Sequence, residues 1–475
     1  MQQKTIAIIG GGCSGVACAI HIARLGRGAA RCLLIEDAER PGLGVAYGTT
    51  RAEHLLNVPA GRMSILHDAP DDLVRWLDAR GHRYAPHECI QRMLYGEYLR
   101  WRLGEAEAGG DVRVVPGRCI GLTRRAKGVS IALRDAEGFN ADACVLALGN
   151  GAPTPLRQRS VEQGIHGTGW AARIVQNPWS EHAYDGVLPD EHVVIVGAGL
   201  TAVDVVLTLD AIGHRGPITM VSRRALLPRS HAPVRQPLSA WDARSLVVGL
   251  SAPGALRAVR RACESEIKAG GDWRAVIDSL RTHTVEAWRS WNASERERFA
   301  ARLRPFWDVH RHRMAMSIAS QVNAHIASGR LRLVRGSVSA VEIDTDDADR
   351  LWVVIEQAGS GAASRVGADR VFNCAGPSTN PARWNDPLVD SILASGDAVI
   401  DPLGIGLETD TAGRVLDRRG LASDRVFAIG PLRRPDMWES TAVPEIRTQA
   451  DAIARRIVAG RADNDVPPAH RAIDA

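Results

Sequence analysis

Two glycine runs hold the strongest chemical signal in the chain. The first, Gly10-Gly11-Gly12-Cys13-Ser14-Gly15, follows the apolar stretch Thr5–Ile9 and precedes a helix-like stretch from Val16 to Gly26. In that order Gly10 permits a tight turn, Gly12 lets the backbone approach a pyrophosphate, and Gly15 lets a helix pack on a strand. Ser14 stands in the same turn, at a helix start whose free N–H groups and dipole favour negative charge. A second strand, Arg31–Ile35, ends at Glu36. That is about twenty residues past the last glycine, where an acid receives the ribose hydroxyls of an adenosine. The second run, Gly197-Ala198-Gly199-Leu200-Thr201-Ala202, follows the strand-like His192–Val196. Its next strand, Ile218–Val221, ends in Ser222-Arg223-Arg224 where the first has an acid. A serine and two arginines accept a 2′-phosphate by hydrogen bond and charge, which an acid would repel. The pair of fingerprints predicts FAD on the first and NADPH on the second, with NADH as the lesser alternative.

Those motifs need two doubly wound sheets to position them. The expected fold is α/β, with two Rossmann-type domains, the second inserted in the first, and a helical insertion. The expected division is 1–190 for the first part of the FAD domain, 191–330 for the NADPH domain and 331–475 for the return. Ala141–Gly149, Asp369–Gly376 and Arg425–Gly430 read as buried strands ending in glycine, and Gly149, Gly376 and Gly430 are expected at the cofactors. The last long helix carries Pro444 in its first turn, so the amides of Glu445 and Ile446 are predicted to face a flavin from the helix start. Within 250–330, Ala293–Leu303 and Pro305–Ser328 read as amphipathic helices.

Composition narrows the function classes. A net charge of +5 is spread along 475 residues with no Lys/Arg block, so no nucleic-acid partner is expected. The apolar stretch Ile6–Ala23 is broken by glycines and by His21, so no membrane span is expected either. Eight scattered cysteines include no C-x-x-C, which argues against a redox dithiol or a zinc knuckle and for a reducing cytoplasm.

Further motifs join the two fingerprints. They are Gly44-Val45-Ala46-Tyr47-Gly48, His54–Ala60, Tyr95–Leu99, Trp307–Arg313 and Trp438–Arg447. Together they resemble the bacterial FAD/NAD(P)-binding monooxygenases that include FAD-dependent urate hydroxylase and aspartate N-monooxygenase. The resemblance covers nearly the whole chain. It implies that reduced flavin adds O₂ at C4a and passes one oxygen to a small anionic substrate, with no protein nucleophile. The leading expectation is urate to 5-hydroxyisourate, and the alternative is an amino-acid (aspartate) N-monooxygenase. An alternative of another class is a flavin reductase that passes electrons to a partner protein. The Baeyer–Villiger spacing is half kept by His166 and Trp170, with Ser160 and Glu162 where Phe and Gly belong.

Candidate substrate groups follow from charge and position. His310 and Arg313 share a predicted helix face that could hold an anion, or be a solvated basic face. Asn57 or Arg62, on a loop after the second strand, could reach a flavin edge. Arg92, one turn before Tyr95, is a further cation, with an ion pair as the bland reading. Trp438 could stack on a flat substrate or pack in a core.

Overall fold

Lys4–Ile9 (β1) is buried along its centre, as an apolar run inside a parallel sheet must be. The computed structural model describes residues 3–37, 41–160, 171–233, 238–343, 350–357 and 361–459. From β1 the chain runs through Cys13–Gly26 (α1) to Ala30–Glu36 (β2), which lies parallel to β1 with Ile6 opposite Cys32. Arg92–Ala108 (α2) leads to Val112–Pro116 (β3) beside β2, and Ala143–Leu146 (β4) takes the other side of β1. A second parallel sheet, with the two-residue strand Ile174–Val175 at its edge, is built on Val193–Val196 (β5), Leu200–Ala211 (α3) and Ile218–Ser222 (β6).

The helical insertion follows β6. Its helices are Ala252–Lys268 (α4), Trp273–Ser279 (α5), Thr284–Ser290 (α6), the short Ala293–Arg298 that continues as a π-helical turn over Phe299–Leu303, and Arg304–Arg311 (α7). Met316–Ala327 (α8) then returns the chain to the second sheet. Leu331–Arg335 (β7) pairs with β6, and Arg370–Asn373 (β8) pairs with β5. Ala422–Ala428 (β9) rejoins the first sheet against β4, and Val443–Ala459 (α9) closes the described chain. The first sheet therefore runs β9-β4-β1-β2-β3, with Arg414–Leu416 outside β9.

Helix α9 buries Ile446, Ala450, Ile453, Ala454 and Ile457 along one stripe at helical spacing. Large aliphatic side chains of that kind contribute about 1.5–3 kcal/mol each when taken from water. The stripe meets α1, where Gly26 approaches Val458.

Two expectations differ from this architecture. The second unit does not end at residue 330: β7 and β8 both belong to its sheet, so the chain returns to the first sheet after Gly376. A short strand flanked by loops carries no mark of which parallel sheet it joins. The helix expected over Pro305–Ser328 is interrupted at 312–315. There Met314 donates its amide to the Arg229 carbonyl and accepts from the His231 amide, both at 2.8 Å, so the segment around Ser230 takes the backbone groups that a helix would use. His166 and Trp170 lie outside the described residues.

Candidate functional site

The first cradle is built where β1 turns into α1. Gly10 sits at φ +100°, and a Cβ there would lie 2.5 Å from the Ala147 carbonyl oxygen. A Cβ on Gly15 would lie 1.9 Å from the Gly10 oxygen. Gly12 is different: its Cβ would meet the Gly44 Cα at 3.8 Å and otherwise open space. Glycine is thus required at two points by the protein's own packing, and at Gly12 it leaves room for a ligand. The Glu36 carboxylate accepts the Gly11 amide at 2.6 Å and the Asp37 amide at 2.9 Å, which aims it across the turn. Gly430, at φ +72°, faces Ser14 so closely that a Cβ would lie 2.7 Å from the Ser14 hydroxyl. Gly149, at φ +70°, stands past the carboxy end of β4 with nothing near its Cβ position. The groove over Gly12, the oriented Glu36 and the open Gly149 fit a dinucleotide lying along the sheet edge.

The second cradle repeats the device. Gly197 is at φ +118°, and a Cβ would lie 2.1 Å from the Cys374 oxygen. Gly199 precedes α3 with open space around it, Thr201 and Ala202 form the first turn, and Gly376 faces open space at φ +94°. At the end of β6 the Ser222 hydroxyl accepts the Ala225 amide at 3.1 Å. Arg223 is exposed, whereas Arg224 donates to the Arg302 carbonyl at 3.1 Å and lies over the Phe306 ring. The two arginines therefore differ: Arg223 faces solvent beside the cradle, and Arg224 leans on the insertion.

A buried polar contact joins the two units. Arg92 holds Asp204 with two hydrogen bonds, at 2.8 and 3.1 Å, and donates Nε to the Leu55 carbonyl at 2.9 Å. Arg92 is thus the ion pair of its bland reading and not a substrate cation: its donors are committed to Asp204 on α3 and to the Leu55 carbonyl. Burial pushes the Asp204 carboxyl up to about 6 against the pull of Arg92. His54 lies alongside, its ring nitrogens 2.9 Å from the Thr49 and Thr208 hydroxyls. Burial, reinforced by Arg92, lowers the His54 imidazole to about 4, so it is neutral and serves as a hydrogen-bonding bridge.

The start of α9 departs from expectation. The amides of Glu445 and Ile446 both donate to the Ala442 carbonyl, at 3.0 and 2.9 Å, so neither is free to face a ligand. Instead the Glu445 carboxylate takes a two-pronged bond from Arg281 of the insertion, at 2.7 and 2.9 Å. Beside it Glu439 accepts the Trp307 indole N–H at 2.8 Å and lies 3.7 Å from Arg311. Burial would raise the Glu439 carboxyl, but Arg311, His312, Trp307 and Arg281 outweigh it and hold it below the usual range. Arg311 is only 8% exposed, and its Nε and Nη2 have no hydrogen-bond partner among the described residues. The sequence motifs include Arg311, Glu439 and Asp204 without giving them a site role, and Arg281 lies outside every motif; the available signal is the pair of acids Glu439 and Glu445 around the start of α9 and the basic run Arg311–Arg313.

The insertion encloses a cavity of about 650 Å³ against the loop ahead of α9. Trp438 is on its wall and also packs on Trp288 and Phe299, with ring centroids 5.0 and 5.1 Å away. His310 is on the same wall, edge-on to Trp273 at 4.9 Å, with its Nδ1 2.8 Å from the Phe306 carbonyl. Arg313 does not share its face: α7 ends at Arg311, and Arg313 turns away to pair with Asp278. Asn57 offers its carbonyl to His231 at 2.9 Å, and Arg62 is exposed at the end of a short helical turn. The structure thus brings His310 and Trp438 to one cavity and leaves Asn57, Arg62, Arg92 and Arg313 off its wall.

Residues 7–151 match the FAD-NAD(P)-binding family. This stretch is an FAD-NAD(P)-binding domain. No curated protein matches the chain. Among solved structures it is similar to the FAD-bound cadaverine monooxygenase of Erwinia amylovora, with 12% identity, all of both chains covered and a TM-score of 0.65. It is also similar to the ornithine N-hydroxylase of a Kutzneria species, with 14% identity, 96% of this chain and 99% of that one covered and a TM-score of 0.61. The bacillithiol disulfide reductase of Staphylococcus aureus aligns at 14% identity over 97% and 100% of the two chains, with a TM-score of 0.56. These likenesses give the fold: two dinucleotide-binding units in one chain. No described helix is long and apolar enough to cross a membrane.

Proposed function

We propose that this chain is a flavin-dependent, NADPH-oxidising monooxygenase that oxygenates the nitrogen of an amine-bearing substrate. The observation that carries this reading is that two dinucleotide cradles occur in a chain with no reactive thiol. A disulfide reductase on this fold needs a low-pKa cysteine for the electrons to reach. Here burial raises every one of the eight thiols: Cys89, Cys119 and Cys263 to about 11, Cys13 and Cys32 to about 12, and Cys18, Cys144 and Cys374 higher still. All eight are also unpaired.

A bound flavin would supply hydride acceptance and oxygen activation. The chain's own residues would supply the rest. Gly10–Gly15 and Glu36 bind the flavin nucleotide, Gly197–Ala202 and Arg223 bind the nicotinamide nucleotide, and the insertion's aromatic wall keeps water from the reacting atoms. Nitrogen is favoured over a purine carbon on one ground. Similar folds with named substrates act on ornithine and cadaverine. Urate, the leading expectation from sequence, is therefore set aside.

The test is reduction by NADPH without oxygen, followed by oxygen and a panel of amines, amino acids and urate. Hydroxylamine product with a matching loss of NADPH supports the proposal. Hydrogen peroxide as the sole oxygen product across the panel overturns it, and product from urate alone overturns the choice of nitrogen.

A further inference from the structure

The cavity is uneven in charge, and that unevenness points to a substrate class. Resting on the monooxygenase reading above, we propose that the 650 Å³ cavity of the insertion takes a carboxylate with a bulky apolar, aromatic-sized body, its carboxylate held by Arg229 and Arg260 beside His310.

Size is the first ground. A cavity of this volume belongs with those that enclose drug-sized ligands, and a short polar acid such as aspartate would leave most of its wall facing water or nothing. The wall is the second ground: tryptophan and phenylalanine rings from α5, α6 and α7 and from the loop ahead of α9 meet across it. Flat apolar groups gain both burial and ring-edge contacts on such a surface.

Charge is the third. Arg274 is neutralised by Asp272 at 3.0 Å, and its Nε is used by the Ser230 carbonyl at 2.9 Å. Arg229 and Arg260 have no ion pair among the described residues, and both lie on the cavity wall with exposed heads. Glu264, one turn along α4 from Arg260, is the carboxylate on the wall, so cations remain in excess. His310 adds no charge: burial lowers its imidazole, and Arg229, Arg274 and Arg260 lower it further despite the Phe306 carbonyl. Its Nδ1–H is spent on that carbonyl, so in the neutral ring Nε2 carries a lone pair and offers no donor to an anion, which leaves the carboxylate to the two arginines. Two guanidinium groups without an ion pair at the rim of an apolar cavity can hold a carboxylate by charge-assisted bonds while the cavity takes its apolar body.

Calorimetry on the flavin-loaded full chain, without NADPH, reads binding apart from turnover. The probes are 2-naphthylacetate, its uncharged amide 2-naphthylacetamide, L-ornithine, L-aspartate and urate. The expected result is that 2-naphthylacetate binds about tenfold or more tighter than its amide and than the short acids, as two charge-assisted bonds imply. Arg229→Gln with Arg260→Gln should abolish the preference for acid over amide and leave the amide's affinity unchanged. The single Arg260→Gln, at an exposed helix position, should halve the preference on the logarithmic scale and keeps the test valid if the double variant misfolds. Equal binding of acid and amide, tighter binding of a short acid, or a preference that survives the substitutions overturns the assignment. If the acid binds as expected but no panel amine is oxygenated, the monooxygenase reading falls and the carboxylate site stands. Amine oxygenation without any acid preference has the opposite meaning.

Discussion

Replacing His54 with glutamine tests whether the contact between the two units depends on a neutral imidazole. His54 is 3% exposed, with both ring nitrogens at hydroxyl groups and its imidazole lowered to about 4. In the unfolded chain it titrates near the ordinary value of about 6.5. A folded pKa below the unfolded one means the unfolded state takes up the proton first, so the histidine's contribution is intact above about pH 6.5 and is lost as pH falls towards 4. Between about pH 7 and pH 5 the loss amounts to about 2 kcal/mol, from the ratio of the two protonation factors. Asp204 works against it: its carboxyl, raised to about 6, is a cost at neutral pH that is relieved on acidification. Wild-type stability should therefore change little over this interval, while His54→Gln keeps the aspartate and loses the histidine. Denaturant midpoints for the two proteins, converted with a common slope, should show the variant gaining about 2 kcal/mol on wild type as pH falls from about 7 to 5. A gap that stays constant with pH, or a histidine NMR titration that puts His54 near its ordinary value, would refute the reasoning.

Other outcomes follow from close approaches in the cradles. Gly15→Ala should strip bound flavin, because its Cβ cannot coexist with the Gly10 oxygen 1.9 Å away, and visible absorbance of the purified protein reads this directly. Gly197→Ala should keep flavin and raise the KM for NADPH, since the clash with the Cys374 oxygen lies in the second cradle; flavin loss there would contradict the assignment. Arg223→Ala should raise the KM for NADPH about tenfold with NADH unaffected, and Arg224→Ala should do much less, because that side chain is already engaged. Steady-state kinetics with both nucleotides separates the cases, and equal losses on NADH would refute the 2′-phosphate role. Glu445→Ala should cost about 3 kcal/mol by leaving Arg281 half-buried and unpaired, seen as a lowered unfolding midpoint and faster proteolysis of the insertion.

The parts of the site readable from sequence were those set by local stereochemistry. Gly10, Gly15 and Gly197 are dictated by clashes within a few residues or with the adjoining strand, so spacing alone found them. Side chains whose partners come from far along the chain were not readable. Arg92 meets Asp204, and Arg281 meets Glu445, across 112 and 164 residues, and an isolated arginine looks the same whether it awaits a substrate or a carboxylate. The amides of Glu445 and Ile446 failed for a subtler reason: Pro444 marked a helix start, but not that the Ala442 carbonyl would reach them first. The break at 312–315 and the return of β7 to the second sheet likewise depend on neighbours that periodicity cannot name.

The two ends of the insertion meet in a single short ladder, Arg229 and His231 against Val309 and Met314. That ladder is a neck. A segment that leaves and re-enters its host at adjoining points of the backbone can be lengthened, shortened or exchanged without stretching any connection in the nucleotide-binding sheet behind it. On the proposed function, substrate range is then exchangeable as a module: a graft cut at the neck would carry most of the cavity wall with it, and the recipient would have to supply Trp438 and matching partners at Arg224, Asp436, Glu439 and Glu445.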